Sequence, residues 1–232
     1  MRKIFFTILL FSITSFAWSQ ISLPQLQSLQ YNSIVFGNAL NFNGSSTYGI
    51  GQVYVQDSIT DFTIEFWCKN TGSDDANDRI YSSYNNNGLH IAKNSTELKL
   101  YTELGSSTTW VTPCTLELNN WVHLAFVKNG TLLTVYKNAT AVATYSVIAT
   151  NTLPTMFRLG SNVDGVGENG NFTIDELRIW NVVRSRSDIQ KYLYAIIDPN
   201  LNSDLKLYYR FDQGDANGTN TNERGLYNSA IN

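Results

Sequence analysis

The sequence predicts an all-β fold of the sandwich or barrel type, and three observations support this prediction. Short segments alternate between apolar and polar residues, most clearly in residues 61–69, DFTIEFWCK, where every second residue from Phe62 is apolar. A turn signal follows nearly every such segment. Apolar residues recur at helical spacing in one segment only. Short strands separated by turns are typical of a β-sandwich or barrel.

Two hairpins are predicted in the middle of the chain. Residues 89–93 and 98–103 alternate on either side of Asn94-Ser95-Thr96. Residues 121–128 and 132–137 flank Asn129-Gly130, a pair that tolerates positive φ angles and is a strong hairpin signal. Residues 141–147, 156–159 and 205–211 supply further strands.

Residues 171–186, NFTIDELRIWNVVRSR, read as a central strand that runs into a helix cap. Regular alternation puts Phe172, Ile174, Glu176, Arg178 and Trp180 on one face, and Thr173, Asp175, Leu177 and Ile179 on the other. Both faces are partly apolar, which favours a strand that is covered on both sides. In this interpretation the carboxyl group of Asp175 shares a face with two aliphatic residues.

The helical segment follows directly. Ser185 and Asp188 have the spacing of a capping box. Four apolar residues then recur at helical intervals, at Ile189, Tyr192, Leu193 and Ile196, before Asp198-Pro199 ends the run. We expect one short helix near the C-terminus, on the edge of the sandwich.

The N-terminus has the features of a secretory signal. Arg2 and Lys3 precede an uncharged run over residues 4–16, and Ala17 and Ser19 form a small-residue pattern before Gln20. We expect cleavage after residue 19 and a secreted or cell-surface protein. An N-terminal anchor is the alternative, although the run is shorter than the about 20 residues that span a bilayer. No stable membrane insertion is expected after cleavage.

Removal of Arg2 and Lys3 takes the formal net charge from −3 to −5, which argues against a nucleic-acid partner. We divide the rest into a lead-in at residues 20–33, one domain at residues 34–212 and a polar tail at residues 213–232. A single β-sandwich of this length buries a sizeable core. The tail leaves open that the chain is a fragment of a larger surface protein.

With these segments in order, the chain resembles the LamG-like jelly-roll domains of the concanavalin A-like lectin/glucanase superfamily. The matching pieces lie at residues 37–51, 62–69, 119–138, 156–162 and 174–189. The resemblance implies a jelly-roll β-sandwich of two curved antiparallel sheets, exported and used to bind sugars or proteins. Residues 208–214, YYRFDQG, are similar to the tails of such domains in Bacteroidetes-type surface proteins. One departure is Asn138-Ala139, where the family usually has Asn-Gly.

The acidic residues do not form the pattern of a glycoside hydrolase. Glucanase members of the superfamily carry Glu-x-Asp-x-Glu, since a retaining mechanism needs two carboxyl groups about 5 Å apart. Here Asp175 and Glu176 are adjacent and point to opposite faces, and Glu65 stands alone on its strand. We therefore expect no catalysis, and a β-glucan hydrolase is the least favoured function.

Asp175 needs a partner if it lies on an apolar face. The resemblance implies one structural calcium, held by Asp175 and by backbone carbonyls of the Asn43-Gly44 turn. The alternative is that the Asp175 carboxylate accepts backbone amides from the same turn. No other cofactor is expected.

Two cysteines, Cys68 and Cys114, leave two interpretations open. They could pair as a disulfide in an exported protein, or remain as two buried thiols.

Four aromatic residues are candidates for ligand binding: Trp110, Tyr84, Tyr81 and Trp67. Aromatic rings stack on sugars and offer rigid contact area to proteins. Core packing is the alternative for each, and Trp110 is favoured because Ser and Thr residues flank it. We expect a non-catalytic extracellular module that binds a glycan or a surface protein at its loops or concave face, in carbohydrate recognition or adhesion. A structural or protein-interaction spacer is the alternative.

Overall fold

A computed structural model describes residues 37–45, 49–52, 59–72, 77–83, 89–104, 107–148, 152–153 and 156–212. All of them belong to one compact unit, Phe36–Asn232. The predicted signal, lead-in and tail, at residues 1–19, 20–33 and 213–232, lie outside the described residues. Within the described part of the chain, no helix is long and apolar enough to cross a membrane.

The described residues form strands β1 (Leu40–Asn43), β2 (Gly49–Gln52), β3 (Phe62–Asn70), β4 (Asp78–Ser83), β5 (His90–Asn94), β6 (Glu97–Leu104), β7 (Ser107–Val111), β8 (Trp121–Asn129), β9 (Leu132–Lys137), β10 (Thr140–Ser146), β11 (Met156–Leu159), β12 (Asn171–Trp180) and β13 (Leu205–Tyr209). Helix α1 spans Arg186–Lys191, and a 3-10 helix spans Pro199–Leu201. The predicted all-β class is confirmed.

Two antiparallel sheets make up the sandwich. The seven-stranded sheet has the order β1-β12-β3-β8-β9-β10, and β13 also pairs with β12. The six-stranded sheet has the order β2-β11-β4-β5-β6-β7. Alternate apolar side chains of both sheets meet in one buried core, where Phe66 and Phe126 stack at 6.0 Å between ring centroids. The predicted jelly-roll sandwich is confirmed.

The Asn138-Ala139 turn joins β9 to β10 although it lacks the usual glycine. Both residues have positive φ angles, 51° and 57°. The side chain of Asn138 accepts the backbone N–H of His123 at 2.9 Å, and the backbone N–H of Asn138 donates to the carbonyl of His123 at 2.8 Å. Ala139 packs in a buried cluster with Val127 and Ile189. These contacts offset the cost of left-handed alanine backbone.

Strand β12 departs from the regular alternation that the sequence predicts. Its pairing with β3 shifts between Asp175 and Arg178, and Glu176 has a φ of 53°. This β-bulge turns Leu177 towards the core, on the same side as Ile174. Asp175 therefore does not share a face with Leu177, and that prediction is wrong because one extra residue inverts the alternation.

Helix α1 begins at the predicted place, and both hydrogen bonds of the Ser185–Asp188 capping box are present. It lies on the outer face of the seven-stranded sheet, where Ile189 packs against Ala125 and Val127, and not on the edge. The helix ends at Lys191, earlier than the apolar spacing predicts. The physical reason is competition, since the carbonyl groups that follow accept hydrogen bonds from β3 and β12 side chains, as described below.

Gly160 offers a test of the packing between β1, β11 and β12. A methyl group at Gly160 would lie 2.2 Å from Cδ1 of Phe42, whose ring stacks on Phe172. We expect Gly160→Ala to lower the free energy of unfolding by the about 1–2 kcal/mol of left-handed strain plus about 1–3 kcal/mol of overpacking.

Gly167 is the matched control, because it also has a positive φ of 75° and a methyl group there meets nothing within 4 Å. Gly167→Ala should lower the free energy of unfolding by the strain contribution alone. Chemical denaturation of both variants measures the difference. Equal losses would show that Phe42 does not occupy the described position.

Candidate functional site

The outer face of the six-stranded sheet carries a row of side chains that point away from the core. The core-facing row runs through Leu159, Tyr81, Ile91, Leu100 and Val111, which are in register on five adjacent strands. The outward row lies one residue further along each strand. It is formed, in register, by Arg158, Ser82, His90, Tyr101 and Trp110. We call the side of the six-stranded sheet that carries this row the outer face.

Arg79 joins the outer face because β4 has a bulge. Its pairing with β5 shifts between Arg79 and Tyr81, so that Ile80 and Tyr81 both enter the core and Arg79 points outwards. The guanidinium carbon of Arg79 lies 4.7 Å from the ring centroid of Trp110. Since β4 and β7 are three strand spacings apart, about 14 Å, the two side chains reach towards each other across the sheet. Between them lies the small, buried Ala92.

Three rings form an aromatic strip on the outer face. The ring centroids of His90 and Tyr101 are 5.6 Å apart, and those of Tyr101 and Trp110 are 5.1 Å apart. All three residues are partly exposed. Aromatic rings at these separations stabilise one another and hold their orientation. The strip is therefore a rigid, amphipathic platform, of the kind that stacks on the apolar face of a sugar ring.

Charged residues border the strip. Glu168, in the loop between β11 and β12, binds Arg79 through Nε at 2.8 Å and Nη2 at 2.7 Å. Arg158 donates from Nε to the carbonyl of Val163 at 3.0 Å, and Lys99 binds Glu97 at 2.7 Å. Burial, and then the charge of Arg79, lower the pKa of His90 to about 4. The imidazole is thus neutral at pH 7.

The structure separates the four aromatic residues predicted to bind a ligand. Trp110 lies on the outer face. Trp67 is buried, and its Nε1–H donates to the carbonyl of Leu193 at 3.0 Å. Tyr81 is buried and stacks on Phe157 at 4.9 Å. Neither Trp67 nor Tyr81 presents a ring to solvent, and Tyr84 lies outside the described residues.

Sequence reasoning missed Tyr101, His90 and Arg79 as members of this site. A signal for Tyr101 was available, because Leu98 and Leu100 alternate with Lys99 and Tyr101 in β6. The same alternation across the β5–β6 hairpin places His90 opposite Tyr101. Arg79 could not be placed, since its orientation depends on the β4 bulge.

The acidic residues considered for catalysis lie on the other sheet and are engaged there. Glu65 is buried and accepts the Nε1–H of Trp180 at 2.8 Å. Arg178 binds Glu176 at 2.6 Å, and its guanidinium also donates to the carbonyls of Tyr192 and Ala195 at 2.8 and 2.9 Å. Burial raises the pKa of Glu65, although Arg178 opposes the shift. The chain that follows β12 therefore covers these carboxyl groups.

The proposed calcium ligands do not come together. Strand β1 pairs with β12 so that Asn43 lies opposite Asn171, and the N–H of Gly44 donates to Gly170 at 3.0 Å. Asp175 is five residues further along β12, about 16 Å away. The Asp175–Gly44 pair therefore does not fit a calcium ion, and the alternative of amides from that turn is also wrong. No group of three His, Cys, Asp or Glu residues in the described ranges could hold a metal.

The Asp175 carboxyl group is satisfied within its own bulge instead. Its Oδ1 accepts the N–H of Glu176 at 2.8 Å. Burial, followed by the charge of Glu176, raises the pKa of Asp175 to about 8. The native state consequently holds the Asp175 proton through the neutral range.

Both cysteines are free thiols, which corresponds to the second of the two interpretations. Cys68 faces the core and Cys114 packs against it. Burial raises the pKa of Cys68 to about 12 and that of Cys114 to about 11, so both are thiols at pH 7.

We expect titration of the unfolded, unreduced protein to find two thiols per chain. Detection of no free thiol would show that Cys68 and Cys114 are paired in a disulfide.

Asp175 predicts a specific pH dependence of stability. The native pKa of about 8 exceeds the ordinary value of 3.8, so the native state binds the proton more tightly than the unfolded state. The contribution of the protonated group is complete below pH 4 and is lost as the pH rises towards 8. Asp175→Asn keeps the acceptor without titrating, so its stability relative to the wild type should rise between pH 4 and 8.

Denaturant titrations at several pH values measure this difference. The exposed Asp204→Asn variant is the control and should show no such slope. Calcium that raises the melting temperature of the wild type but not of Asp175→Asn would contradict the interpretation.

Several solved structures are similar to this chain. A candidate carbohydrate-binding protein from Bacteroides ovatus is 21% identical with a TM-score of 0.62, over 77% of this chain and 52% of that chain. The binding domain of botulinum neurotoxin serotype D/C is 17% identical with a TM-score of 0.54, over 67% and 43%. A pentraxin from Limulus polyphemus is 15% identical with a TM-score of 0.51, over 66% and 79%.

These identities are low, so the structural likeness shows the fold alone. The chain spans about half the length of the Bacteroides ovatus structure, 52%. Among curated proteins, none matches the chain significantly. A family model does match, over residues 43–190 and thus more than half of the chain. The chain belongs to the concanavalin A-like lectin/glucanases superfamily.

Proposed function

We propose that this chain is a non-catalytic carbohydrate-binding module, exported by its N-terminal signal and working in the recognition of glycans at the cell surface. The observation that carries the proposal is the aromatic strip of His90, Tyr101 and Trp110 on the outer face of the six-stranded sheet, where all three residues are partly exposed. Sugar rings have apolar faces that pack on such rings, and hydroxyl groups that bind nearby polar side chains.

The position of the strip suits an extended glycan. Its three rings lie on adjacent strands β5, β6 and β7, so the strip runs across the sheet over two strand spacings, about 10 Å. Trp110 is at one end, beneath the Arg79 guanidinium. A sugar that stacks on Trp110 takes the place of that guanidinium or packs beside it.

The structural relatives support the class of function, although not its details. One is a candidate carbohydrate-binding protein and another is the binding domain of a neurotoxin. Because this chain covers 52% and 43% of those chains, the ligands of the whole proteins are not transferred to it. The absence of catalysis in our proposal rests on the engagement of Glu65 and Glu176 by Trp180 and Arg178.

A glycan array followed by titration of the strongest ligand tests the proposal. We expect Trp110→Ala and Tyr101→Ala each to weaken binding about tenfold or more, since loss of a stacked ring costs about 1–3 kcal/mol. Trp121→Ala is the matched control, because Trp121 is also partly exposed and also lies beneath a cation, Lys69 at 5.4 Å, but on the other sheet.

Three outcomes would contradict the proposal. A wild-type protein that binds no glycan, while it captures a surface protein, would favour the protein-interaction spacer. Release of reducing ends from β-glucans would show an enzyme. Equal losses in the Trp110 and Trp121 variants would remove the outer face as the site.

A further inference from the structure

We propose that the outer face binds the end of a glycan chain and not an internal segment, because the loop between β11 and β12 closes one end of the aromatic strip. This chain-end specificity rests on the proposed function and narrows its ligand class from glycans to glycan termini. It follows from the position of the loop, residues 160–170, relative to the three rings.

The β11–β12 loop lies on the outward side of the six-stranded sheet. Arg158 in β11 and Arg79 in β4 both point outwards from the core. Arg158 donates from Nε to the carbonyl of Val163 at 3.0 Å. Arg79 binds the carboxylate of Glu168 and also donates its backbone N–H to the Glu168 carbonyl at 2.9 Å. Because Val163 and Glu168 both belong to the loop, the loop lies over β11 and β4 on this side.

Hydrogen bonds within the loop give it a defined shape. The N–H of Gly170 donates to the carbonyl of Gly160 at 2.9 Å and closes the neck of the loop. The side chains of Asn162 and Asp164 both accept the N–H of Val166, at 3.2 and 2.9 Å. Val166 is 73% exposed, so its side chain projects into solvent at the tip. Together with the two arginine contacts, these bonds make the loop a fixed wall.

The exposure of the outward row shows which end of the strip is closed. Ser82 in β4 is 0% exposed and Arg158 in β11 is 9% exposed, so both are covered. His90, Tyr101 and Trp110, on β5, β6 and β7, are partly exposed. Beyond Trp110 there is no further strand, since β7 is the last strand of this sheet in the described part of the chain. The strip is therefore closed beyond His90 and open beyond Trp110.

A chain terminus fits this surface better than an internal segment does. The strip spans two strand spacings, about 10 Å, from His90 to Trp110. An internal segment continues past both ends of its binding site, and one of these exits is blocked at Ser82. A chain that lies over Trp110 and ends against His90 needs only the open exit.

The chemistry of His90 agrees with a terminal sugar at the closed end. Its imidazole is neutral at pH 7 and thus has one donor and one acceptor nitrogen. A hydroxyl group can likewise both donate and accept. A terminal unit has a hydroxyl where an internal unit has a glycosidic oxygen, which can only accept. The terminal unit can therefore make a hydrogen bond of either direction with His90.

End-modified oligosaccharides test the proposal with the wild-type protein. The probes are the hexasaccharides of the laminari, cello, manno and chito series. Each is used unmodified, reduced to the alditol at its reducing end, or methylated on the terminal hydroxyl of its non-reducing end. In a series that binds, one of the two modifications should weaken binding about tenfold by calorimetry, since it changes the group that meets the wall, and the other should have no effect.

Equal binding of all three forms would show internal recognition and overturn the proposal. If none of the four series binds, the same two modifications are made on the strongest ligand of the glycan array.

Polymer stoichiometry gives an independent measurement. A chain-end site binds the same number of protein molecules per polymer chain whatever the chain length. An internal site binds more molecules as the chain lengthens. Calorimetric titration with two length fractions of one polymer should give equal numbers of bound protein per chain. A number that rises in proportion to length would overturn the proposal.

Removal of the wall should change the mode of binding. Replacement of residues 162–168 by two glycines keeps the Gly160–Gly170 neck and uncovers the outward row beyond His90. We expect this variant, with its fold checked by circular dichroism, to bind several molecules per polymer chain. Val166→Ala is the matched control, because it alters the loop tip but keeps both arginine contacts, and it should retain chain-end binding. A folded loop-shortened variant that still binds only chain ends would overturn the role of the loop.

The outcomes separate the two proposals. If Trp110-dependent glycan binding persists but neither end modification affects it, chain-end specificity is overturned and carbohydrate binding stands. If no glycan binds at all, the proposed function fails, and chain-end specificity with it.

Discussion

One buried guanidinium, that of Arg178, ties strand β12 to the chain that follows it. The bulge at Glu176 turns Arg178 away from the core and onto the outer face of the seven-stranded sheet. There it binds Glu176 and the carbonyls of Tyr192 and Ala195. A buried cation must be paired and hydrogen bonded to be stable, and these acceptors supply partners for both terminal nitrogens of Arg178. The chain after β12 is thereby held flat against the sheet, with Trp67 adding a further bond to Leu193.

This closure makes the two outer faces of the sandwich unequal. On the seven-stranded sheet, the covering chain buries Trp180, Glu65 and Arg178, so that the charged groups there serve the structure. On the six-stranded sheet, the outward row keeps its aromatic rings partly exposed. Polar groups that are completed by the protein stabilise it, whereas groups left incomplete cost free energy. The two outer faces thus differ in their cover: the chain after β12 lies over the seven-stranded sheet, whereas three aromatic rings of the six-stranded sheet stay partly exposed.

The strands, both hairpins, the capping box and the sandwich itself could be predicted from the sequence, because each depends on local alternation or turn chemistry. The orientation of particular side chains could not. A β-bulge adds one residue to a strand, and the sequence of apolar residues does not indicate where. Beyond the bulge, the alternation of side chains between the two faces is reversed. For this reason the apolar pattern predicts the wrong face for Asp175 and gives no indication of the orientation of Arg79. Trp110 was found because its polar neighbours are visible in the sequence, while Trp67 and Tyr81 became core residues through long-range packing.

The two bulges have opposite consequences from the same geometry. In β12 the bulge brings Arg178 next to carboxylates and carbonyls of its own chain, and the face closes. In β4 the bulge brings Arg79 to a face where Glu168 binds two of its nitrogens and leaves Nη1 without a partner. A single extra residue in a strand can therefore either place a cation under the chain that follows, as with Arg178, or direct it across an aromatic face, as with Arg79. In this sandwich both bulges change the outer faces while the core remains intact, because Ile174 and Leu177 in β12, and Ile80 and Tyr81 in β4, all still face the core.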